Sequence, residues 1–239
     1  MSTPTGRSSV QIGRWSLAAV IGTGASRLEF STNYRVFFSE ANPELQAFEE
    51  LQDTYTKNDN VLFVIAPRDG RVFTRDTLAT VEWLTREAWQ VPYSIRVDSL
   101  SNFQHTYAEG DDLIVEDLVF ADEELTAQRL QQLREIAINE PLLVNRLISP
   151  SGHVTGVNVT IELKGEDVSA ENPLVVEFVR YLKARFMEQF PGIDVRLTGI
   201  IMMNQAFPEA SQYDMSTLFP LMLLLFVVVL FFWVKGFSG

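Results

Sequence analysis

The chain has 239 residues, no cysteine and a net charge of −12, from 31 Asp and Glu against 19 Lys and Arg. This length is enough for one good-sized domain with accessory segments. The lack of cysteine excludes disulfide frameworks, Cys-ligated zinc and thiol catalysis. The acidic balance disfavours contact with a phosphate backbone, so we expect no nucleic-acid partner.

The first apolar segment of the chain is short. Ser16–Ser26 is small and apolar, with Arg7 and Arg14 before it and Arg27 after it. As a helix it would cover about 16 Å, less than a bilayer requires. Residues 1–26 are therefore expected to form either a signal-like segment or a truncated first transmembrane helix.

The next residues predict the order helix, strand, helix, strand. Asn42-Pro43 reads as a cap followed by a first helical residue. Residues 61–66 are a continuous apolar run, as expected of a strand buried on both faces. Thr74 is positioned to cap a second helix that ends before Pro92. Residues 93–97 then alternate apolar and polar, which predicts a half-buried strand.

The same plan returns later in the chain. His153–Leu163 alternates like a strand, and Asn172-Pro173 is predicted to start a helix that Pro191-Gly192 terminates. Residues 193–197 form a final alternating strand. Two β-α-β units, about 60–99 and 153–199, predict an α+β domain of the ferredoxin-like, split β-α-β type.

An insertion of about fifty residues, 100–152, separates the two units. It is predicted to contain one helix from about Asp122 to Asn139. The acidic run 109–112, followed by Glu116-Asp117, lacks the alternating order of a calcium loop, so a solvated acidic turn is expected there.

The C-terminal region predicts a membrane span. Thr217–Val234 has eighteen positions without a charge, enough for about 27 Å of helix. Pro220 is placed near the helix start, where a missing N–H costs little. We assign 215–235 to a transmembrane helix, 236–239 to a cytoplasmic tail and 27–214 to an extracytoplasmic domain, since Arg7, Arg14 and Lys235 indicate the cytoplasmic side.

No residue pattern points to catalysis or to a cofactor. The two histidines, His105 in a loop and His153 at a strand edge, lack the spacing of metal ligands, so we expect no metal site. No serine lies in a nucleophile elbow, and no glycine-rich phosphate loop has its strand and helix context. The chain is therefore not expected to be an enzyme, and no substrate-binding residue is assigned.

Two long segments carry a family resemblance. They are RLEFSTNYRVFFSEANPELQAFEELQDTYTKNDNVLFVIAP at 27–67 and PYSIRVDSLSNFQHTYAEGDDLIVEDLV at 92–119. With the apolar helix after them, they resemble the first extracytoplasmic loop of the resistance-nodulation-division (RND) superfamily, in the exporter branch related to the mycobacterial large membrane proteins (MMPL). The resemblance covers about 27–234. It implies a porter-like domain in the periplasm and a helix at Thr217–Val234 equivalent to the second of the family's twelve, in the bacterial inner (plasma) membrane.

The resemblance also implies a function. Members of the superfamily are secondary transporters, usually proton-driven, that export lipids, hydrophobic compounds or drugs. Here the first helix is shortened to Trp15–Ser26, and the helices that carry the family's proton-coupling carboxylates have no counterpart, so no functional residue is carried over. The expected partners are the lipid bilayer, the remaining transporter portion or a homo-oligomer, and a hydrophobic or lipid substrate.

Two functional hypotheses follow. The first is a truncated part of an RND/MMPL-like exporter that cannot transport alone, because alternating access needs two packed halves. The second is an independent membrane-tethered binding module, in which the insertion 100–152 and a sheet face grip a partner or lipid.

Overall fold

A computed structural model of the chain describes residues 38–39, 41–54, 59–119, 124–164 and 168–236. The segment assigned to 1–26, including the shortened first helix, lies outside these residues. The described residues form helices and antiparallel sheets and end in a long apolar helix.

The elements have the following bounds. The helices are α1 (Pro43–Thr54), α2 (Arg75–Ala88), α3 (Ala127–Asn139), α4 (Val168–Gln189) and α5 (Ile200–Gly236). The strands are β1 (Asp59–Pro67), β2 (Ser94–Asp98), β3 (Gln104–Glu109), β4 (Asp112–Asp117), β5 (Thr155–Ile161) and β6 (Ile193–Thr198).

The main sheet has four strands in the order β2-β5-β1-β6, and every neighbouring pair is antiparallel. Strand β5 lies between β1 and β2, so the units β1-α2-β2 and β5-α4-β6 interleave in one sheet. In the register, Val61 faces Val159 and Phe63 faces both Val157 and Leu197. Because side chains alternate along a strand, all of these point to the same side of the sheet.

The core lies on that side, under α2 and α4. Val61, Phe63 and Ile65 of β1 are fully buried there with Leu84 of α2 and Phe186 of α4. The prediction that β1 is buried on both faces is wrong, because the helices cover only one face and its even-numbered residues stay partly exposed. The sheet therefore has a dry face and an open face.

The insertion has a small core of its own. Leu100, Leu118, Leu133 and Leu143 are buried together in it with the start of α2 at Leu78. Strands β3 and β4 form a separate two-stranded hairpin that was not predicted.

The predicted start of the insertion helix at Asp122 is wrong. The helix α3 begins at Ala127, because the Thr126 hydroxyl accepts a hydrogen bond from the Arg129 N–H (3.2 Å) and caps it.

The predicted helix starts at Asn42-Pro43 and Thr74 are confirmed. Asn42 Oδ1 accepts from the Glu44 N–H (2.9 Å), and Thr74 Oγ1 accepts from the Thr77 N–H (3.2 Å). The predicted start of α4 at Asn172-Pro173 is wrong, because the helix begins at Val168 and contains Pro173. The Asn172 side chain does not cap it but contacts α5.

Helix α5 has 37 residues and is long and apolar enough to cross a membrane. No residue of its most apolar stretch of eighteen is buried against the rest of the described chain. This suggests membrane association. The predicted helix start near Pro220 is wrong, since the helix already begins at Ile200 and Pro220 lies inside it. The hydroxyls of Ser216 and Thr217 both donate to the Tyr213 carbonyl (2.9 and 2.6 Å) in the turn before Pro220.

Candidate functional site

A cleft of 380 Å³ lies between the open face of the main sheet and the insertion. Strand residues and insertion residues contribute opposite walls. The sheet supplies Asn60, Leu62, Arg96, Asp98 and Asn158. Ser99, directly after β2, and the insertion residues Asn102, Phe103, Leu142, Arg146 and Leu147 complete the lining.

Two asparagines form the floor of the cleft on the sheet side. Asn60 of β1 and Asn158 of β5 alternate with the buried valines Val61, Val157 and Val159, so their amides point to the open face. Asn60 Nδ2 donates to Asn158 Oδ1 at 2.7 Å. This bond joins neighbouring strands and fixes the orientation of both amides.

Hydrogen bonds hold the turn after β2 at the cleft wall. Asn102 Oδ1 accepts from the Ser99 N–H (2.8 Å), and Asn102 Nδ2 donates to the Val97 carbonyl (2.7 Å). Thr85 of α2 donates its hydroxyl to the Ser99 oxygen (2.8 Å). The wall is therefore built on the buried core and not on a free loop.

Of the two arginines that line the cleft, one is paired with a carboxylate and the other, within the described part of the chain, is not. Arg96 Nε donates to Asp98 Oδ1 at 2.7 Å, whereas Arg146 forms no ion pair with any carboxylate of the described ranges. Asp98 is the one carboxylate among the lining residues, and no histidine lines the cleft. This lining suits ligand binding better than proton transfer, because it combines a guanidinium and several amides with the apolar side chains of Leu62, Phe103 and Leu142.

The same Asn60 connects the cleft to helix α5. Its Oδ1 accepts from the N–H of Ile200, the first residue of α5, at 3.3 Å. The preceding Gly199 has φ +114°, and a Cβ at this position would lie 2.4 Å from the Asn60 carbonyl oxygen. Only glycine fits the tight turn that connects β6 to α5.

The first turns of α5 are fixed to α4. Asn172 Nδ2 donates to the Ile201 carbonyl (3.4 Å) and to Gln205 Oε1 (3.3 Å). Arg180 makes a bidentate contact with Glu209, with both N–O distances 2.8 Å. These hydrogen bonds lower the pKa of Glu209 below its ordinary value and raise the pKa of Arg180. The helix is therefore part of the domain until Glu209.

The two histidines lie apart from the cleft. His105 is on strand β3 and stacks on Tyr107 at a ring distance of 5.5 Å, so its predicted loop position is wrong. His153 lies in the turn before β5, where its Nδ1 hydrogen-bonds to the hydroxyls of Ser149 and Ser151.

The predicted acidic turn is the tip of the β3–β4 hairpin. Gly110 makes the turn with φ +63°. On the hairpin, Tyr107 donates its hydroxyl to Glu116 Oε1 (3.1 Å), which raises the pKa of the phenol. Among the residues placed by the structure, no three His, Cys, Asp or Glu side chains are grouped so as to hold a metal ion.

Comparison with known proteins gives no identification. No family model matches the chain. A search of curated proteins also finds no match. The functional interpretation of the cleft and of the junction with α5 rests on their own geometry.

Sequence reasoning missed the cleft because its lining residues are far apart in sequence. Asn60 and Asn158, which form its floor, are 98 positions apart. One signal was available. Both asparagines occupy outward positions of strands whose inward positions are apolar, and two amides on outward positions of neighbouring strands can pair.

Proposed function

We propose that the chain is the membrane-anchored, extracytoplasmic part of an RND/MMPL-like exporter of lipids or other hydrophobic compounds, located in the bacterial plasma membrane. One membrane helix such as α5 cannot by itself enclose a substrate path, since alternating access needs two packed halves. On this proposal the chain works with further membrane helices and does not transport alone.

The topology of the main sheet supports this proposal. We infer that the domain belongs to the ferredoxin-like, split β-α-β class, because two β-α-β units interleave with the order β2-β5-β1-β6. This is the plan that the resemblance of residues 27–119 implies for a porter-like domain.

The observation that carries the proposal is the direct continuity between sheet and apolar helix. Strand β6 ends at Thr198, Gly199 turns the chain, and α5 then runs without interruption to Gly236. A polypeptide that only anchors a soluble module needs no such rigid connection. Fixed contacts at Asn172 and Arg180 make the helix and the domain move together, which suits a transporter.

Orientation can be tested with single cysteines, because the chain has none of its own. Leu113→Cys places a thiol on the exposed hairpin, and Lys235→Cys places one in the last turn of α5, just after the uncharged run 217–234. In intact cells a membrane-impermeant maleimide should label the first variant, and the second only after permeabilisation. Labelling in the reverse order, or recovery of the chain in the soluble fraction, would contradict the proposal.

The exporter assignment needs a second experiment. The full chain, tagged and extracted from its native membrane in mild detergent, should co-purify in fixed ratio with a polypeptide that has many transmembrane helices. A chain that purifies alone from membranes in which the orientation test succeeded would refute the exporter while leaving the membrane anchor intact.

The cleft favours a second candidate, an independent tethered binding module. Its volume of 380 Å³ is within the range of small-molecule sites, and Arg146 offers an anion-binding group. This candidate predicts that the isolated full-length chain binds a ligand. Arg146→Gln should then weaken ligand binding without lowering the melting temperature, whereas the exporter fragment alone should retain no ligand.

A further inference from the structure

Helices α4 and α5 run in the same direction where they touch. Asn172, near the start of α4, contacts Ile201 and Gln205, and Arg180, two turns later, contacts Glu209. Increasing residue numbers on α4 therefore match increasing residue numbers on α5. This fixes which end of the domain α5 leaves.

The level of the bilayer follows from this pairing. At 1.5 Å per residue, Thr217 lies about 12 Å beyond Glu209, and Gln189 at the end of α4 lies about 13 Å beyond Arg180. The apolar run thus starts at about the level at which α4 ends. That end of the domain faces the bilayer surface if α5 spans the membrane.

Several loops share this end of the sheet. Pro67, the last residue of β1, pairs with Ile193, the first residue of β6, and Ile65 pairs with Thr155, the first residue of β5. The loop 68–74, the turn 149–154 and the turn after α4 consequently lie together. Helix α2 starts here and runs away, so Arg86 in its last turn lies at the far end.

A second cleft, of 390 Å³, opens among these loops and the first half of α3. Arg71 and Arg134 line it together with Gln131 and the Ser151 backbone, and no carboxylate does. Arg134 Nη2 donates to the Ser151 carbonyl at 3.3 Å, which holds its guanidinium at the wall.

The charged side chains next to the cleft make an ion pair or hydrogen bonds of their own. Arg68 pairs with Asp194 (3.2 Å), Asp69 accepts from the Arg71 backbone N–H (3.0 Å), and Arg75 Nε donates to the Leu125 carbonyl (2.6 Å). The two guanidiniums of Arg71 and Arg134 are left as the cationic groups of the cleft.

We propose that the Arg71–Arg134 cleft binds the phosphate of an anionic lipid headgroup at the bilayer surface. The inference rests on α5 spanning the membrane, as in the proposed function. Guanidinium groups bind phosphate through paired hydrogen bonds. A chain of net charge −12 would otherwise be repelled by an anionic surface, and each arginine held near such a surface strengthens binding by about fivefold.

The test uses the full chain in nanodiscs of phosphatidylcholine alone, or in nanodiscs in which about a quarter of the lipid is phosphatidylglycerol. Amide hydrogen exchange is the measurement. Phosphatidylglycerol should slow exchange in 68–74 and 127–134 by about fivefold or more. Arg71→Gln with Arg134→Gln should abolish this protection. The matched control, Arg86→Gln with Lys164→Gln, removes the same charge at the opposite end of the sheet, where β5 ends, and should retain the protection.

Four results would overturn the proposal. They are equal exchange in both lipids, equal loss of protection in the control variant, equal protection by inorganic phosphate in phosphatidylcholine discs, and protection that rises with protein concentration alone. The third would assign the cleft to a free anion, and the fourth to an acidic surface of a second copy. A chain that does not enter nanodiscs at all would instead refute the membrane span, and with it the proposed function.

Discussion

The domain core and the C-terminal part of α5 are both apolar, but only the core is buried. Phe63, Phe186 and their neighbours are fully buried between the sheet and the helices. From Leu218 to Trp233, every residue of α5 is exposed. Residues 218–233 therefore contribute nothing to the described core, and their exposed apolar surface suggests membrane association.

The largest expected effect is on the helix side of this comparison. Leu225→Arg with Val228→Arg should reduce membrane insertion by about 6 kcal/mol, because each arginine at the centre of a span costs about 3 kcal/mol. Extraction of membranes with alkaline carbonate measures the loss. Leu113→Arg with Val115→Arg, on the exposed hairpin, is the control and should remain in the membrane.

On the core side, Phe63→Ala should lower the free energy of unfolding by about 3–5 kcal/mol, since it leaves a cavity in a fully buried cluster. Thermal unfolding followed by circular dichroism checks this. Leu113→Ala, at a side chain that is 71% exposed, should change stability by less than about 0.5 kcal/mol. Equal effects of the two variants would contradict the assignment of the core.

The passage between the two regions depends on Gly199. Gly199→Ala should destabilise the domain by about 2–3 kcal/mol, because alanine is strained at φ +114° and its Cβ would collide with the Asn60 carbonyl. Gly192→Ala is the matched control, since a Cβ there has no atom within 4 Å. Denaturant melts of the two variants should differ clearly; coinciding melts would show that the junction tolerates rearrangement.

The smallest expected effect concerns the Arg180–Glu209 pair. Because the folded pKa of Glu209 is lowered, the pair stabilises the native state above the ordinary pKa of 4.5 and loses this contribution as pH falls through the folded value. Both side chains are about half exposed, so the contribution is at most about 1 kcal/mol.

Comparing the melts of the native chain and Glu209→Gln at pH 7 and below pH 4 isolates the contribution of the Arg180–Glu209 pair to stability. The difference in stability should shrink at the lower pH. A difference that grows as the pH falls would contradict the sign of the shift.

The local elements of the domain could be predicted because they depend on neighbours in sequence. Asn42 and Thr74 cap helices through bonds that span two or three residues. The outward position of Asn158 follows from strand alternation. The start of α4 could not be found in this way, because the Nδ2 of Asn172 donates to α5, 29 residues away.

Two β-α-β units and an apolar helix could be predicted from the residue pattern alone, since periodicity and hydropathy are local properties of the chain. The folded arrangement was needed to show that β5 lies between β1 and β2 and that Asn60 hydrogen-bonds to Asn158. It also showed that Arg71 and Arg134 share a cleft at the end from which α5 leaves. Each of these depends on contacts between segments far apart in sequence, which no local pattern encodes.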